Sequence, residues 1–416
     1  MKIKRILITM VAIFVSVHAM AGDPQIDDVI VQQRWPWSRL VDIDYILKCE
    51  PEELVDVQVE AYDGSMRLTL PSQSLSGNLH SVQRGAHRIV WDPAVTAYTN
   101  SGVLSEFRVT LTPTPVPLYM IVDLTQSAGE EGQIEYVYES DLTNNLWGAW
   151  ARNPVTNVGV VIESVIWTGV ATNDIYKTEK LVLRRIPKGT FQMGGSTSTT
   201  LTKDFYACIF QITQGQWERI MGTNPSIYQN PLSPVESVSY DDTRGATNSV
   251  PMIDWPGTGT LVDPSSFVGA LRAKTALTDF DLPTEAQWEY ACQAKTTTDF
   301  NNEVPGVINP LNELGWWTGN SQVTASKTTQ PVGQKKPNAW GLYDMHGNVF
   351  ESCVDWHASS LTGGKDPTGA ESGEKRVVRG GSFNSTEGYC KSTYRSSSKA
   401  SERREIRGFR LVRTLP

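Results

Sequence analysis

Pro337-Asn-Ala-Trp-Gly-Leu-Tyr-Asp-Met-His-Gly-Asn-Val-Phe-Glu351 has neither the two-residue alternation of a half-buried strand nor the 3.6-residue period of an amphipathic helix. The same texture of Gly, Asn, Ser and aromatic residues runs from Lys295 to Pro416. A long irregular segment of this kind must be held by polar networks, a metal or disulfides, because its backbone groups cannot rely on regular ladders. Within it, Asp344 and Glu351 bracket a turn that contains Gly347. Ca2+ takes hard oxygen ligands, carboxylate and carbonyl together. The spacing alone leaves two readings open. Either the loop closes on a calcium ion, or Asp344 ends a turn and Glu351 pairs with Arg379 or Arg410.

Upstream of this segment the helical signals are short. Thr213 can cap a helix carrying Trp217, Ile220 and Met221, with Gly222 as its stop. Ser265 or Asp263 can start another through Phe267 and Leu271. Thr284-Glu-Ala-Gln287 is a capping box that opens the helix of Trp288 and Tyr290. Glu285 and Glu289 lie one turn apart on it. They are read as a helix-dipole partner and a loop tie rather than an acid–base pair. His346 and His357 have no partner at metal spacing and read as loop or surface residues. Trp316, Trp317, Trp340, Phe350 and Trp356 read mostly as core, with a binding face as the alternative.

The front of the chain differs. Val41-Asp-Ile-Asp-Tyr45 and Val55-Asp-Val-Gln-Val59 alternate apolar and polar residues, and Asp63-Gly64 signals a hairpin. Residues 22–113 are therefore predicted as an all-β, immunoglobulin-like sandwich. Pro113, Pro115 and Pro117 predict an extended spacer. Residues 114–180 read as spacer and connector, with strand-like stretches at 118–122 and 160–165.

The chain has 416 residues, 39% hydrophobic and 20% charged, which fits two or three folded domains. At the N-terminus Lys2, Lys4 and Arg5 precede the apolar run Ile6 to Val17 and then Ala19-Met20-Ala21, the pattern of a secretory signal peptide over residues 1–21. Export to the periplasm, cell surface or medium is expected, with no transmembrane segment after cleavage. Removing three basic residues from the 37 leaves 34 against 45 acidic ones, a net charge of −11. That balance argues against a nucleic-acid partner.

An ordered set of motifs spans residues 181–412. It comprises Phe191-Gln-Met-Gly194, Thr213-Gln-Gly-Gln-Trp217, Pro234-Val-Glu-Ser-Val-Ser239, Leu282-Pro-Thr-Glu-Ala-Gln-Trp-Glu-Tyr-Ala291, the 337–351 stretch, Arg376-Val-Val-Arg-Gly-Gly-Ser-Phe383 and Gly408-Phe-Arg-Leu-Val412. This resembles the formylglycine-generating enzyme, or sulfatase-modifying factor, domain family. The resemblance implies an α+β, irregular C-type-lectin-like domain over residues 181–416, behind the β-sandwich. It also implies a calcium site with side chains at Asp344 and Glu351 and backbone oxygens at Gly347 and Val349. Asn320 matches one ligand of a second calcium seen in relatives, but Ser321 to Thr329 offers no acidic partner, so that second site is expected to be lost.

Catalytic relatives oxidise a sulfatase cysteine to formylglycine with copper held by two cysteine thiolates. Counted without gaps from Gly380-Gly-Ser382, Ser385 stands at the first of these positions and Cys390 at the second. The resemblance also allows Cys390 to match a structural cysteine bridged to Cys292, and for an exported protein that bridge is the preferred reading. Cys353 is another available partner, and Cys208 reads as a buried small hydrophobe. With one thiol missing, copper is not expected. The chain reads as an exported binding or scaffold protein for a protein, peptide or glycan ligand. The alternative is an active formylglycine-generating oxidase.

Overall fold

The computed structural model describes residues 24–34, 37–49, 53–70, 74–80, 82–96, 106–130, 132–137, 150–153, 164–167, 170–245, 261–301, 310–323 and 326–415. The expected signal segment and residues 160–163 lie outside them. Among the described residues, no helix is long and apolar enough to cross a membrane. The chain divides into two compact units, with the change after Leu118.

The first unit is all β. One sheet orders Gln25–Gln33, Val41–Lys48, Gly85–Trp91 and Leu75–Gly77, and the other orders Met66–Leu68, Val55–Asp63 and Phe107–Pro115. Alternate residues of both sheets, including Val41, Ile43, Tyr45, Val55, Val57 and Ala61, meet in one buried core with Trp91 and Phe107. The period of two read from the sequence is the period that fills this core. The expected proline spacer is different in the structure. Pro113 and Pro115 end a strand, opposite Val57 and Val55. Val57 and Val55 send their N–H groups to the carbonyls of Leu79 and Val82 instead, so no ladder donor is asked of the prolines.

In the second unit, Tyr119–Asp123, expected in the connector, belongs to the main sheet. That antiparallel sheet runs Phe280–Asp281, Val412–Thr414, Phe205–Cys208, Lys180–Ile186, Tyr119–Asp123 and Ile134–Val137. The register sets Met120 beside Leu183, and Leu183 beside Cys208. These rows pack with Trp217, Phe267, Leu271 and Phe409. Trp217 and Phe267 stack with centroids 5.1 Å apart. Thr284 forms the capping box read from the sequence, Thr213 caps its helix as read and adds a capping box with Gln216, and Ser266, rather than Ser265 or Asp263, caps Phe267–Thr275.

A second sheet orders Ser396–Ser398, Arg376–Arg379, Phe350–Trp356 and Arg407–Gly408. Buried charges fasten the helix Glu285–Gln293 to its surroundings. Glu285 takes two hydrogen bonds from Arg395, at 2.6 and 2.7 Å. Glu289 accepts from the Gly194 N–H at 2.7 Å and from Arg379, so it is a loop tie. Asp355 accepts the Glu285 N–H at 2.7 Å. Burial, then the neighbouring Glu285 carboxylate, pushes Asp355 up to about 8.

Two outcomes are expected. A fragment of residues 119–416 should melt cooperatively, whereas residues 181–416 should melt lower or aggregate, because the edge of Lys180–Ile186 and its apolar row lose their cover. Equal melting temperatures by circular dichroism would show the 119–123 strand to be dispensable. Asp355 keeps its proton to about pH 8 when folded but only to about pH 4 when unfolded. Its contribution is therefore full below about pH 4 and is lost as pH rises to about 8. Asp355→Asn should raise the melting temperature at pH 8 relative to wild type and leave it nearly unchanged at pH 4. A constant difference across that range would refute the assignment.

Candidate functional site

The 344–351 loop is built by close backbone approach. Gly347 has φ 106°, and a Cβ there would fall 2.1 Å from the Trp316 carbonyl oxygen. Gly347 N–H donates to the Gly380 carbonyl, Asn348 N–H to Trp316, and Phe383 N–H to Asn348. The loop is thereby stitched to the Gly-Gly-Ser turn.

Its oxygens converge. The carbonyls of Asp344 and Gly347 lie 3.2 Å from Gln211 Nε2, and the Val349 carbonyl and Glu351 Oε1 lie 3.0 Å from it. The side chain of Asp344 departs from the expected ligand role. Its Oδ2 accepts the Gly333 N–H at 2.8 Å, and it is the backbone oxygen that faces Gln211. Asp344 Oδ1 and Gln211 Oε1 are buried without a hydrogen-bond partner. Burial raises Asp344 to about 6, against the pull of the Gly333 N–H and Arg410.

Glu351 also pairs with Arg410, as the second sequence reading allowed, through Nε to Oε2 and Nη2 to Oε1, each at 3.0 Å. Trp288 Nε1 donates to the same carboxylate at 2.7 Å. Arg379 belongs instead to Glu289 and Glu285. Nothing in the sequence reading pointed to Gln211, although a lone carboxamide inside Ala207-Cys-Ile-Phe-Gln-Ile212 is a usable signal.

Three carbonyl oxygens and one carboxylate oxygen, all 3.0–3.2 Å from Gln211 Nε2, are hard donors of the kind that Ca2+ takes. Gly347, Val349 and Glu351 thus share one cluster of oxygens with the backbone, not the side chain, of Asp344. Asn320 is used otherwise, accepting the Trp317 N–H and donating to the Gly315 carbonyl, both at 2.9 Å.

Ser385 and Cys390 do come together. The Ser382 N–H reaches Ser385 Oγ at 3.0 Å and also serves the Cys390 sulfur. Ser385 Oγ lies 2.9 Å from Ser382 Oγ. Cys390 is fully buried with Phe300, Leu311 and Leu314, and burial pushes its thiol up to about 12. Linear Cu(I) binding needs two soft thiolates. One hydroxyl and one protonated thiol do not fit it.

The expected Cys292–Cys390 bridge is absent, and all five cysteines are free thiols. The two thiols face different partners, Cys292 Sγ lying 3.9 Å from the Met345 carbonyl and from His346 Nε2 while the Cys390 sulfur takes the Ser382 N–H, and His346 is buried rather than a surface residue. Its Nδ1 lies 2.8 Å from the Cys390 carbonyl, while Nε2 faces Asn301 N at 3.2 Å and Cys292 Sγ at 3.9 Å. The imidazole thus links the Cys390 backbone to the Cys292 side chain. Burial lowers it to about 4, so it stays neutral, donating from Nδ1 and accepting at Nε2. Of the aromatic set, Trp340 and Phe350 are core, whereas Trp316 lies under Lys335 and Trp356 packs on Arg376.

The second unit is similar to several known proteins. The sulfatase-modifying factor enzyme 1-like domain matches residues 172–415. A chaperone protein LppX of Paenibacillus barcinonensis is 28% identical over 53% of this chain and 83% of its own length. The formylglycine-generating enzyme of Thermomonospora curvata is 30% identical over 42% of this chain, and the chain spans about half, 52%, of that enzyme. Among solved structures, Treponema denticola variable protein 1 aligns at 24% identity over 57% of this chain and 96% of its own, with a TM-score of 0.45. With seven motifs in order and the domain matched over more than half of its length, the chain belongs to the sulfatase-modifying factor enzyme 1-like family.

Proposed function

We propose that this is an exported, non-catalytic member of the family, which acts by binding a protein, peptide or glycan ligand. One observation carries the reading. At the turn where catalytic relatives hold copper between two thiolates, this chain offers the Ser385 hydroxyl and the buried Cys390 thiol around a single backbone N–H. A serine hydroxyl is a hard donor of high pKa and cannot replace a thiolate toward Cu(I). The match to a relative named as a chaperone, over most of that relative's length, supports a role exercised by binding.

Calcium is proposed as a structural ion. Glu351 and the carbonyls of Asp344, Gly347 and Val349 would hold it, and it would tie the 344–351 loop to its neighbours rather than take part in chemistry. A ligand bound only to the folded state stabilises that state by mass action.

Purified protein mixed with Cu(I), oxygen and a sulfatase-type cysteine peptide should leave the peptide mass unchanged. Conversion to the aldehyde, abolished by Cys390→Ser, would establish the oxidase reading instead. Chelation should lower the melting temperature, and calcium should restore it. An unchanged melting temperature, with no calcium found by elemental analysis, would remove the ion from the account.

A further inference from the structure

Gln211 is fully buried, and its terminal nitrogen lies 3.0–3.2 Å from four oxygens. A carboxamide nitrogen carries two hydrogens, so it cannot satisfy four acceptors at once. Its own oxygen, Oε1, has no hydrogen-bond partner although it is buried. Leaving such an acceptor unpaired costs the full desolvation penalty of the group. The group is thus over-subscribed at one end and idle at the other.

Turning the carboxamide over exchanges these ends. With no cation present, an inward oxygen would face the three carbonyls and Glu351 and repel them, so the nitrogen must point inward. With a cation among those oxygens, the inward nitrogen becomes the misfit and Oε1 becomes a further ligand. Gln211 is well held for either state. Ile212 N–H donates to the Phe409 carbonyl and Tyr343 N–H to the Ile209 carbonyl, which fixes the backbone on both sides of it.

We propose that the Gln211 carboxamide is a built-in stand-in for the cation: it holds the oxygen cage through Nε2 when no ion is bound, and turns Oε1 onto the ion when one is. This rests on the calcium reading above. It makes the loop strengthened by calcium without being dependent on it, and it assigns residue 211, in the loop that follows the strand Phe205–Cys208, as a cation ligand far away in sequence.

Gln211→Glu is the discriminating variant, because a carboxylate has nearly the same shape but cannot donate. Wild type and variant are melted in EDTA and in excess CaCl2, and titrated with Tb3+ while exciting tryptophan, since Trp288 touches Glu351. In EDTA the variant should melt several degrees below wild type. In calcium it should recover to the wild-type value or above, and its Tb3+ affinity should rise about tenfold or more with the added charge. A variant that melts with wild type in EDTA overturns the proposal, as does one that melts low and is not rescued by calcium. A wild type indifferent to calcium beside a responsive variant sinks the calcium reading alone and supports the stand-in role.

Discussion

The second unit is organised around a charge pair with no access to solvent, Glu351 with Arg410. Arg410 also donates to the carbonyls of Cys208 and Tyr343, each at 2.7 Å, while Glu351 receives Trp288 and Gln211. Four segments distant in sequence, 208–211, 288, 343–351 and 410, therefore meet at one ion pair. Replacing one member of such a pair leaves a buried charge uncompensated, at a cost of about 3–5 kcal/mol. With so little regular structure between residues 295 and 416, this network does what ladders do elsewhere. It fixes where the irregular loops lie and, through the 344–351 loop, where the Gly-Gly-Ser turn lies.

How much of this could be read in advance follows from the range of each interaction. The caps at Thr213 and Thr284 depend on residues three positions away, and both were legible. So was the alternation of Val41–Lys48, which needs only a core on one side. Tyr119–Asp123 was harder to place, because its first four residues are all buried and period two is erased. Asp344 and Glu351 drew notice through spacing, but the third party, Gln211, lies 140 residues from Glu351. The Cys292–Cys390 bridge failed for a similar reason. Nothing in the sequence spacing shows that the two thiols face different partners.

The pair of positions at 385 and 390 lies outside the central network. Ser385 sits on a turn held by Ser382 and by Thr318 N–H, and Cys390 ends a short 3-10 helix against a small apolar cluster. Exchanging a thiol for a hydroxyl there disturbs none of the contacts around Glu351. Scaffold and chemistry are therefore separable in this domain, and a shared fold carries little information about activity.

The strand Val412–Thr414 is not an edge strand. It lies between Phe205–Cys208 and Phe280–Asp281, and Arg410 enters the buried network just before it. A chain emerging from the ribosome meets its partners in the opposite order. Residues 119–208 can pair early, but they must wait about two hundred residues for the strand that completes their row. Until then the Phe205–Cys208 edge is open and Glu351 lacks its cation. Such late, long-range closure slows folding and leaves strand edges exposed meanwhile. Assembly of this unit is consequently gated by the arrival of its final segment, a kinetic consequence of placing the last strand inside the sheet.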